Sequence, residues 1–273
     1  MRPTRPTLRY HGGKFRLANW IISHFPRHRV FVDAYGGAGS VLLAKAPAFS
    51  EVYNDLNEDL VSFFRVLRDP HQSAELCRLV ALTPFARAEW KSAYEHIDEP
   101  IERARRLLLR SFGGFGSDSS PIKRRTGFRS NTNRRGTTPA LDWSRYPAEI
   151  AVFCQRLQGV LIDCRPAIDV MDEHDMPDTL HYADPPYVPA TRSEVRGYEH
   201  ELTDQDHCNL ADALHRLTGF VVISGYRCDL YDDLYEGWMR HDRETVIFRQ
   251  SRRLESIWLS PKTSAALEGL LFR

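Results

Sequence analysis

The chain has 273 residues, of which 42% are hydrophobic and 27% are charged, with a formal net charge of +1. These values predict a folded protein with a substantial core, built as one large domain or as a domain that carries a long insertion. They exclude a disordered chain, and the absence of any apolar run near the ~18 residues of a membrane span excludes a membrane-spanning helix. Residues 1–6 lack the apolar core of a secretory signal, so we expect a cytoplasmic protein.

The cysteines and histidines give no sign of a metal centre or a disulfide framework. The five cysteines are an odd number, stand far apart, and include no Cys-x-x-Cys pair. This usage favours free thiols in a reducing compartment. None of the eleven histidines stands at metal-ligand spacing from a partner, so no metal is predicted.

The first part of the chain alternates between strand and helix. Residues 30–34 read as a buried strand, 35–39 as a tight glycine turn, and 40–44 as the start of a helix. A second short strand over 51–54 ends at Asp55, and apolar residues at helical spacing predict a helix over 58–68. This order predicts a strand–turn–helix–strand unit with parallel strands.

The pattern changes at about residue 69. Thr83 and Pro84 are typical of an N-cap and a first helical residue, which predicts a helix through Tyr94. Another helix is predicted over 102–110, and the stretch to Thr138 has no periodicity, which favours a loop or a hairpin that orders on a partner. We predict an inserted, mostly helical domain over residues 70–155, with residues 1–69 and 156–273 forming the main domain.

The sheet pattern resumes after the predicted insertion. A capping-box sequence at Thr203 predicts a helix to about Leu217. Further strands are predicted over 159–163, 180–183, 220–224, 244–250 and 255–260, the last two as an antiparallel closing pair. The fold class is therefore predicted to be α/β, a doubly wound and mostly parallel sheet of about seven strands with a helical insert.

The most informative motif is Asp184-Pro185-Pro186-Tyr187, which directly follows the predicted strand at 180–183. Open α/β sheets bind ligands at the carboxyl ends of their strands. An aromatic amine such as that of adenine is a poor nucleophile, because its lone pair is delocalised into the ring. Hydrogen bonds from both amine hydrogens, one to the carboxylate and one to the first proline's carbonyl, would free that lone pair, while the tyrosine stacks on the ring. The plainer alternative is a proline-rich turn that ends a strand.

Positive charge is concentrated in one segment. Residues 110–136 contain seven Lys or Arg and one Asp, a net charge of +6, which leaves the rest of the chain at −5. A nucleic-acid contact needs such a concentration, although a solvated loop would also carry it. The candidate nucleic-acid contacts are Lys123, Arg124, Arg125, Arg129, Asn131, Arg134 and Arg135.

Four patches follow one another in a defined order: Gly-Gly-Lys at 12–14, the glycine turn at 33–40, Asp55, and Asp-Pro-Pro-Tyr at 184–187. In this order the chain resembles the Dam-like family of DNA adenine-N6 methyltransferases, most weakly across 70–155. The resemblance implies a class I S-adenosylmethionine-dependent methyltransferase fold with an inserted target-recognition domain. It also implies S-adenosylmethionine as methyl donor, double-stranded DNA as partner, a monomer without metal, and a prokaryotic or phage-encoded enzyme of restriction-modification or phage DNA modification.

The resemblance also assigns site residues. Asp184, Pro185, Pro186 and Tyr187 match the catalytic residues of the family. The cofactor-binding residues that it implies are Tyr10, Gly12, Gly13, Lys14, Asp33, Tyr35, Gly37, Gly39, Asp55 and Asp163. The sequence departs from the family pattern at Ala34, Gly36 and Ala38, and these mild changes leave donor binding expected.

Single patches have plainer explanations. Asp55 by itself is more often a helix cap, a role for which Asn54 and Asn57 compete. Lys14 alone is most often a surface charge, and Asp163 is equally a ligand contact or a solvated turn. The segment 224–226 after the fifth strand is equally an edge of the binding cleft or a turn, whereas Trp258 is assigned to the core.

Adenine-N6 methylation of a flipped base in duplex DNA is the predicted reaction. Cytosine-N4 methylation is the first alternative, but that group tends to carry Ser where this chain has Asp184. Methylation of RNA or of a glutamine amide is the second, and an Asn at that position would favour the amide. The third is a catalytically inactive nucleic-acid-binding protein with the same fold.

Overall fold

A computed structural model describes residues 3–10, 12–115, 127–131, 137–191, 200–246 and 252–271. Its strands are β1 (Val30–Asp33), β2 (Ser50–Asn54), β3 (Val160–Asp163), β4 (Thr179–Ala183), β5 (Phe220–Gly225), β6 (Met239–Val246) and β7 (Arg252–Leu259). They form one seven-stranded sheet in the order β3-β2-β1-β4-β5-β7-β6. β1 is parallel to β2 and β4, and β4 to β5, whereas β7 is antiparallel to both β5 and β6. The predicted α/β sheet with two antiparallel closing strands is confirmed.

The helices include those predicted over 40–44, 58–68, 102–110 and from Thr203 to about Leu217, together with others that the sequence did not predict. They are α1 (Ala18–Ile22), α2 (Ser40–Ala44), α3 (Glu58–Arg68), α4 (Pro70–Leu82), α5 (Arg87–Ser92), α6 (Pro100–Gly113), α7 (Pro139–Ser144), α8 (Pro147–Leu157), α9 (Ala167–Glu173), α10 (Asp204–Arg216), α11 (Asp229–Leu234) and α12 (Pro261–Leu271), with a 3-10 turn at Pro189–Thr191. α10 begins as predicted, because the side chains of Thr203 and Asp206 exchange capping-box hydrogen bonds with the backbone. Of the helices described, none is long and apolar enough to cross a bilayer.

The described chain divides into two compact units. The first comprises residues 1–18, 37–46 and 57–162, and the second comprises 19–36, 47–56 and 163–273. The first unit therefore contains the whole of the predicted insertion together with the N-terminal segment, α2 and α3. The boundaries predicted for the insertion, 70–155, stay a prediction.

In the first unit, the N-terminal segment is tied to the helices. Thr7 donates from its hydroxyl to the Ala38 carbonyl at 2.6 Å, and its own carbonyl accepts from the buried Tyr146 hydroxyl at 2.6 Å. Two residues later, the Arg9 amide donates to the Ser111 hydroxyl at 2.7 Å. These contacts hold the segment that leads into the Gly-Gly-Lys patch.

The helix predicted from Pro84 to Tyr94 is wrong in its start. α4 extends to Leu82, Thr83 is its C-terminal cap, and α5 begins only at Arg87. The Thr83 hydroxyl, which would have to cap the predicted helix, instead donates to the Leu79 carbonyl of α4 at 2.7 Å and accepts from Arg105 at 3.1 Å. Its carbonyl accepts from the Trp143 indole at 2.7 Å. These bonds hold Thr83 at the end of α4.

The first closing strand begins earlier than predicted. β6 starts at Met239 instead of residue 244, and residues 247–250 of the predicted strand lie outside the described part of the chain. The early part of β6 is charged: Arg240 bonds Asp232 at 2.9 Å, and Asp242 accepts from Ser256 at 2.7 Å. Because charged residues are common on edge strands, this part of β6 lacks the alternation of apolar and polar residues by which a strand is predicted from sequence.

The core of the second unit is built on one face of the sheet. It joins strand residues such as Val32 and Ile223 to Tyr231 of α11 and to Tyr235, which follows that helix. Trp258 is 2% exposed and meets Tyr231 edge to face at 5.2 Å. The assignment of Trp258 to the core is confirmed.

A buried histidine gives this unit a stability that depends on pH. His181 of β4 is fully buried, with Nε2 3.1 Å from Asp175, and burial holds its pKa below the ordinary value of 6.5. The folded protein therefore binds a proton there less readily than the unfolded chain, so stability falls as the pH drops below 6.5. From pH 6.5 to 5.5 the contribution is at most about 1.4 kcal/mol.

Urea unfolding at pH 6.5 and 5.5 tests this effect in the wild type and in His181→Gln, whose amide can still donate to Asp175. We expect the variant to lose less stability between the two pH values. An equal loss in both proteins would show that another group sets the acid sensitivity.

Candidate active site

The carboxyl ends of the parallel strands come together at one edge of the second unit. Asp33 of β1 stands beside Tyr182 of β4, and Ala183 of β4 stands beside Ile223 of β5. The next residues along β4 and β5 are Asp184 and Ser224. The predicted motif therefore lies where open α/β sheets bind ligands, at the ends of adjacent strands.

A chain of hydroxyl groups holds the Asp184 carboxylate. Ser224 donates from Oγ to Asp184 Oδ1 at 2.8 Å, and the Tyr182 hydroxyl lies 2.9 Å from the same Oγ. A serine hydroxyl has one hydrogen, so the bond to the aspartate makes the tyrosine the donor to the serine. Burial, and then the Asp184 charge, raise the pKa of Tyr182 well above its ordinary value, which keeps that hydroxyl protonated. Segment 224–226 thus contacts the site and is not a plain turn.

Tyr187 is held by residues that no local pattern could indicate. Its hydroxyl donates to Glu255 of β7 at 2.9 Å, across 68 positions of sequence. Its ring meets the ring of Tyr226 edge to face, with centroids 4.6 Å apart. Between Asp184 and Tyr187, Pro185 is buried and Pro186 is partly buried.

The turn after β1 is shaped by close packing. The Gly36 amide donates to the Asn54 carbonyl at 2.7 Å, and a β-carbon at Gly36 would lie 2.2 Å from the Tyr53 ring. The Asn54 amide group donates to the carbonyls of Ala34 and Arg165, both at 3.0 Å. A buried asparagine, which sequence reasoning considered only as a helix cap, therefore ties together the turns after β1 and β3.

Asp55 is not the cap of the helix that follows it. Asn57 takes that role, since its side chain accepts from the Leu60 amide at 3.1 Å. Asp55 instead lies near Tyr35, whose pKa is raised by burial and then by the charges of Asp206 and Asp55. Tyr35 and Asp55, both implied as cofactor contacts, therefore lie close enough for the charge of one to affect the other. Asp33, a third implied contact, is buried at the end of β1.

Asp163 is engaged in its own turn. One carboxylate oxygen accepts from the Cys164 amide at 2.8 Å, and the other accepts from the Arg165 guanidinium at 2.8 Å. Both bonds lie within residues 163–165, so they give the Asp163 carboxylate a structural role in this turn. Its contact with a cofactor stays a prediction.

In the first unit, Lys14 is buried and not a surface charge. It is 6% exposed, and its ammonium donates to the Gly12 carbonyl at 2.9 Å. The Gly13 amide donates to the Tyr10 carbonyl at 3.2 Å, and the Tyr10 ring lies 3.5 Å from where a β-carbon of Gly37 would be. Within this unit, Tyr10 therefore lies close to both Gly13 and Gly37.

The glycine turn needs glycine for its backbone. Gly37 and Gly39 have φ of 51° and 63°, in the left-handed region that other residues rarely adopt. A β-carbon at Gly39 would also lie 2.9 Å from the Phe64 ring. The predicted tight turn is present, and its role in donor binding is a prediction.

Two arginines of the basic segment serve the first unit itself. Arg110 is 5% exposed and pairs with Asp59 at 2.6 Å. Arg129 is 6% exposed and donates to the Phe112 carbonyl at 3.0 Å, an arrangement that favours a structural role over the predicted DNA contact. Asn131 is exposed. The other predicted contacts lie outside the described residues: Lys123, Arg124, Arg125, Arg134 and Arg135.

The described residues contain no cluster of three or more His, Cys, Asp or Glu that is suited to a metal ion. The seven-stranded sheet, with its antiparallel β7 next to β5 and Asp184 at the end of β4, is that of a class I methyltransferase. The comparisons with known proteins agree. A model of the D12 class N6 adenine-specific DNA methyltransferases matches residues 10–247.

The chain belongs to the D12 class of N6 adenine-specific DNA methyltransferases. It is 26% identical to the DNA adenine methylase of Escherichia coli K12 over 253 residues, which cover 86% of each chain. It is 23% identical to a type II methyltransferase of Methanocaldococcus jannaschii, over 86% of this chain and 89% of that protein. The predicted family, fold class and enzyme class, adenine-specific DNA methylation, are confirmed.

Proposed function

We propose that this enzyme transfers a methyl group from S-adenosylmethionine to the exocyclic amine of an adenine that has been flipped out of duplex DNA. The observation that supports this most is the Asp184 carboxylate at the end of β4, fixed through Oδ1 by Ser224. We assign the Asp184 carboxylate, held in place by Ser224, as the acceptor of one amine hydrogen. The Pro185 carbonyl is the second acceptor.

The reaction needs orientation more than acid or base strength. A methyl sulfonium is already an activated donor, so the protein must place the amine in line with the methyl group and make its lone pair available. Two acceptors on the amine hydrogens would draw the nitrogen toward a tetrahedral geometry and make its lone pair available to the methyl group. The donor would supply that methyl group, its carbon–sulfur bond would break, and S-adenosylhomocysteine would leave as a neutral thioether. The methylated nitrogen would then carry a positive charge and release one hydrogen as a proton, for which we assign the Asp184 carboxylate as acceptor.

The residues present fit the proposed donor. S-adenosylmethionine supplies the methyl group and carries a ribose with two hydroxyls, for which Asp55 is the assigned acceptor. Asp33 and the glycine turn suit the methionine part, where backbone must approach the ligand closely. Tyr10 and the Gly-Gly-Lys patch are further assigned contacts of the first unit. The enzyme is proposed to act as a monomer.

Product analysis tests the proposal and its alternatives together. The protein is incubated with tritiated S-adenosylmethionine and unmethylated duplex DNA, and the DNA is digested and separated into nucleosides. We expect label in N6-methyladenine. Label in N4-methylcytosine would support the first alternative. An unlabelled digest from protein that binds the donor would support either methylation of RNA or an amide, or the inactive DNA-binding alternative.

The basic segment offers a test of the DNA contact. We expect the double variant Arg124→Gln/Arg125→Gln to bind DNA more weakly, because two phosphate contacts and their released counterions are lost. The slope of log affinity against log salt should become shallower by about two units. Arg78→Gln/Arg216→Gln removes the same charge elsewhere in the chain and serves as control. An unchanged salt slope in the first variant would mean that the segment is a loop without phosphate contacts.

A further inference from the structure

Glu255 of β7 holds the phenol of Tyr187. The tyrosine hydroxyl donates to Glu255 Oε2 at 2.9 Å, and the tyrosine is 5% exposed. A hydrogen bond in which the acceptor is a charged carboxylate is stronger than one between neutral groups. The side chain three residues after Asp184 is therefore anchored by a distant strand of the same unit.

The anchoring extends to a second ring. Tyr226 meets Tyr187 edge to face, with centroids 4.6 Å apart and an interplanar angle of 74°. The hydroxyl of Tyr226 in turn accepts from Arg253 Nη1 at 3.1 Å. Arg253 and Glu255 are two apart on β7 and so share one face of the strand. One face of β7 thus holds both tyrosine rings.

The register explains how Glu255 reaches this place. β5 and β7 pair from Val222 with Leu259 to Gly225 with Ser256. Glu255 is the next residue of β7, so it lies where β5 has ended and the chain turns away at Tyr226. Leu254, its neighbour on the opposite face, is 42% exposed.

We propose that Glu255 is a positioning residue for methyl transfer, acting through Tyr187 without touching the substrate itself. Its carboxylate fixes the tyrosine ring in the orientation in which the ring stacks on the target adenine. This inference rests on the proposed function, which assigns base stacking to Tyr187. A ring that is ordered in advance removes the cost of ordering it when the base enters, so the benefit belongs to turnover and not to donor binding.

Four variants and a control test this role through kcat on unmethylated DNA. Glu255→Leu removes the acceptor and Tyr187→Phe removes the donor, and we expect each to lower kcat about tenfold. The double variant should show a similar loss instead of about a hundredfold, because both changes break one bond. Glu255→Gln keeps an acceptor oxygen and should stay within about threefold of the wild type. Leu254→Ala should match the wild type, and donor affinity should be unchanged throughout.

Thermal unfolding separates positioning from mere stabilisation. Glu255→Leu leaves a buried phenol without its acceptor and should lower the unfolding temperature, whereas adding Tyr187→Phe removes that phenol and should restore stability. Positioning predicts that kcat stays low in the double variant while stability returns. A kcat that recovers together with stability, two losses that multiply, or a Glu255→Leu enzyme within about twofold of the wild type would each refute the role. Because the wild type is assayed alongside, a wild type that fails to methylate adenine identifies a failure of the proposed function instead.

Discussion

Replacing Asp184 by alanine is expected to abolish methyl transfer while leaving the binding of S-adenosylmethionine largely intact. The change removes the acceptor that draws the amine toward a tetrahedral nitrogen, and removal of one such preorganised group costs about 10²- to 10³-fold or more in turnover. The assay is single-turnover transfer of tritiated methyl to DNA. Donor affinity is measured separately by calorimetry.

Ser224→Ala provides a graded comparison with that variant. It leaves the carboxylate in place but removes the hydroxyl that holds Oδ1 at 2.8 Å. We expect a loss of about tenfold, since one hydrogen bond to a charged group is removed. Normal turnover in Asp184→Ala would refute the assignment of the acceptor, and equal losses in the two variants would refute the subordinate role of Ser224.

Gly36→Ala is expected to damage both folding and donor binding. The added β-carbon would lie 2.2 Å from Cε2 of the Tyr53 ring, and this ring is fully buried. The ring and the turn must move apart, at a cost of about 1–3 kcal/mol in the free energy of unfolding. Gly36 lies between Tyr35 and Gly37, which are both assigned donor contacts. The displaced turn should therefore also lower donor affinity by tenfold or more, which corresponds to a loss of at least ~1.4 kcal/mol in binding free energy.

Gly269→Ala is the matched control for that substitution. Gly269 lies in α12, and a β-carbon there meets nothing within 4 Å. Alanine favours a helix over glycine by about 0.5–1 kcal/mol, so this variant should be slightly more stable, with unchanged donor affinity. Gly36→Ala with the stability and donor affinity of the wild type would contradict the packing described for the turn.

The sequence predicted the parts of the site that are local in the chain. β1, its glycine turn and α2 follow in sequence, so their residue types are enough to indicate them, as is the Asp-Pro-Pro-Tyr motif at the end of β4. The capping box at Thr203 could also be predicted, because its two partners, Thr203 and Asp206, lie within four residues of sequence. In each case the residues that form the structure are also neighbours in sequence.

What the sequence could not predict depends on side chains that meet only after folding. Glu255 and Tyr187 are 68 positions apart, and Thr83 ends α4 with its carbonyl bonded to the Trp143 indole, 60 positions away. Arg129 has a contact of the same kind, because its guanidinium donates to the Phe112 carbonyl, 17 positions away. The DNA contact expected of this residue stays a prediction.

The central claim is that a carboxylate and a proline carbonyl hold the adenine amine, and a ternary complex tests it most directly. Sequencing of methylated positions first identifies the target, and a crystal structure is then determined with S-adenosylhomocysteine and duplex DNA that contains it. We expect the target adenine outside the stack, with N6 within about 3.2 Å of both an Asp184 oxygen and the Pro185 carbonyl oxygen. An adenine amine that is held by other groups, with Asp184 turned away from it, would contradict the account.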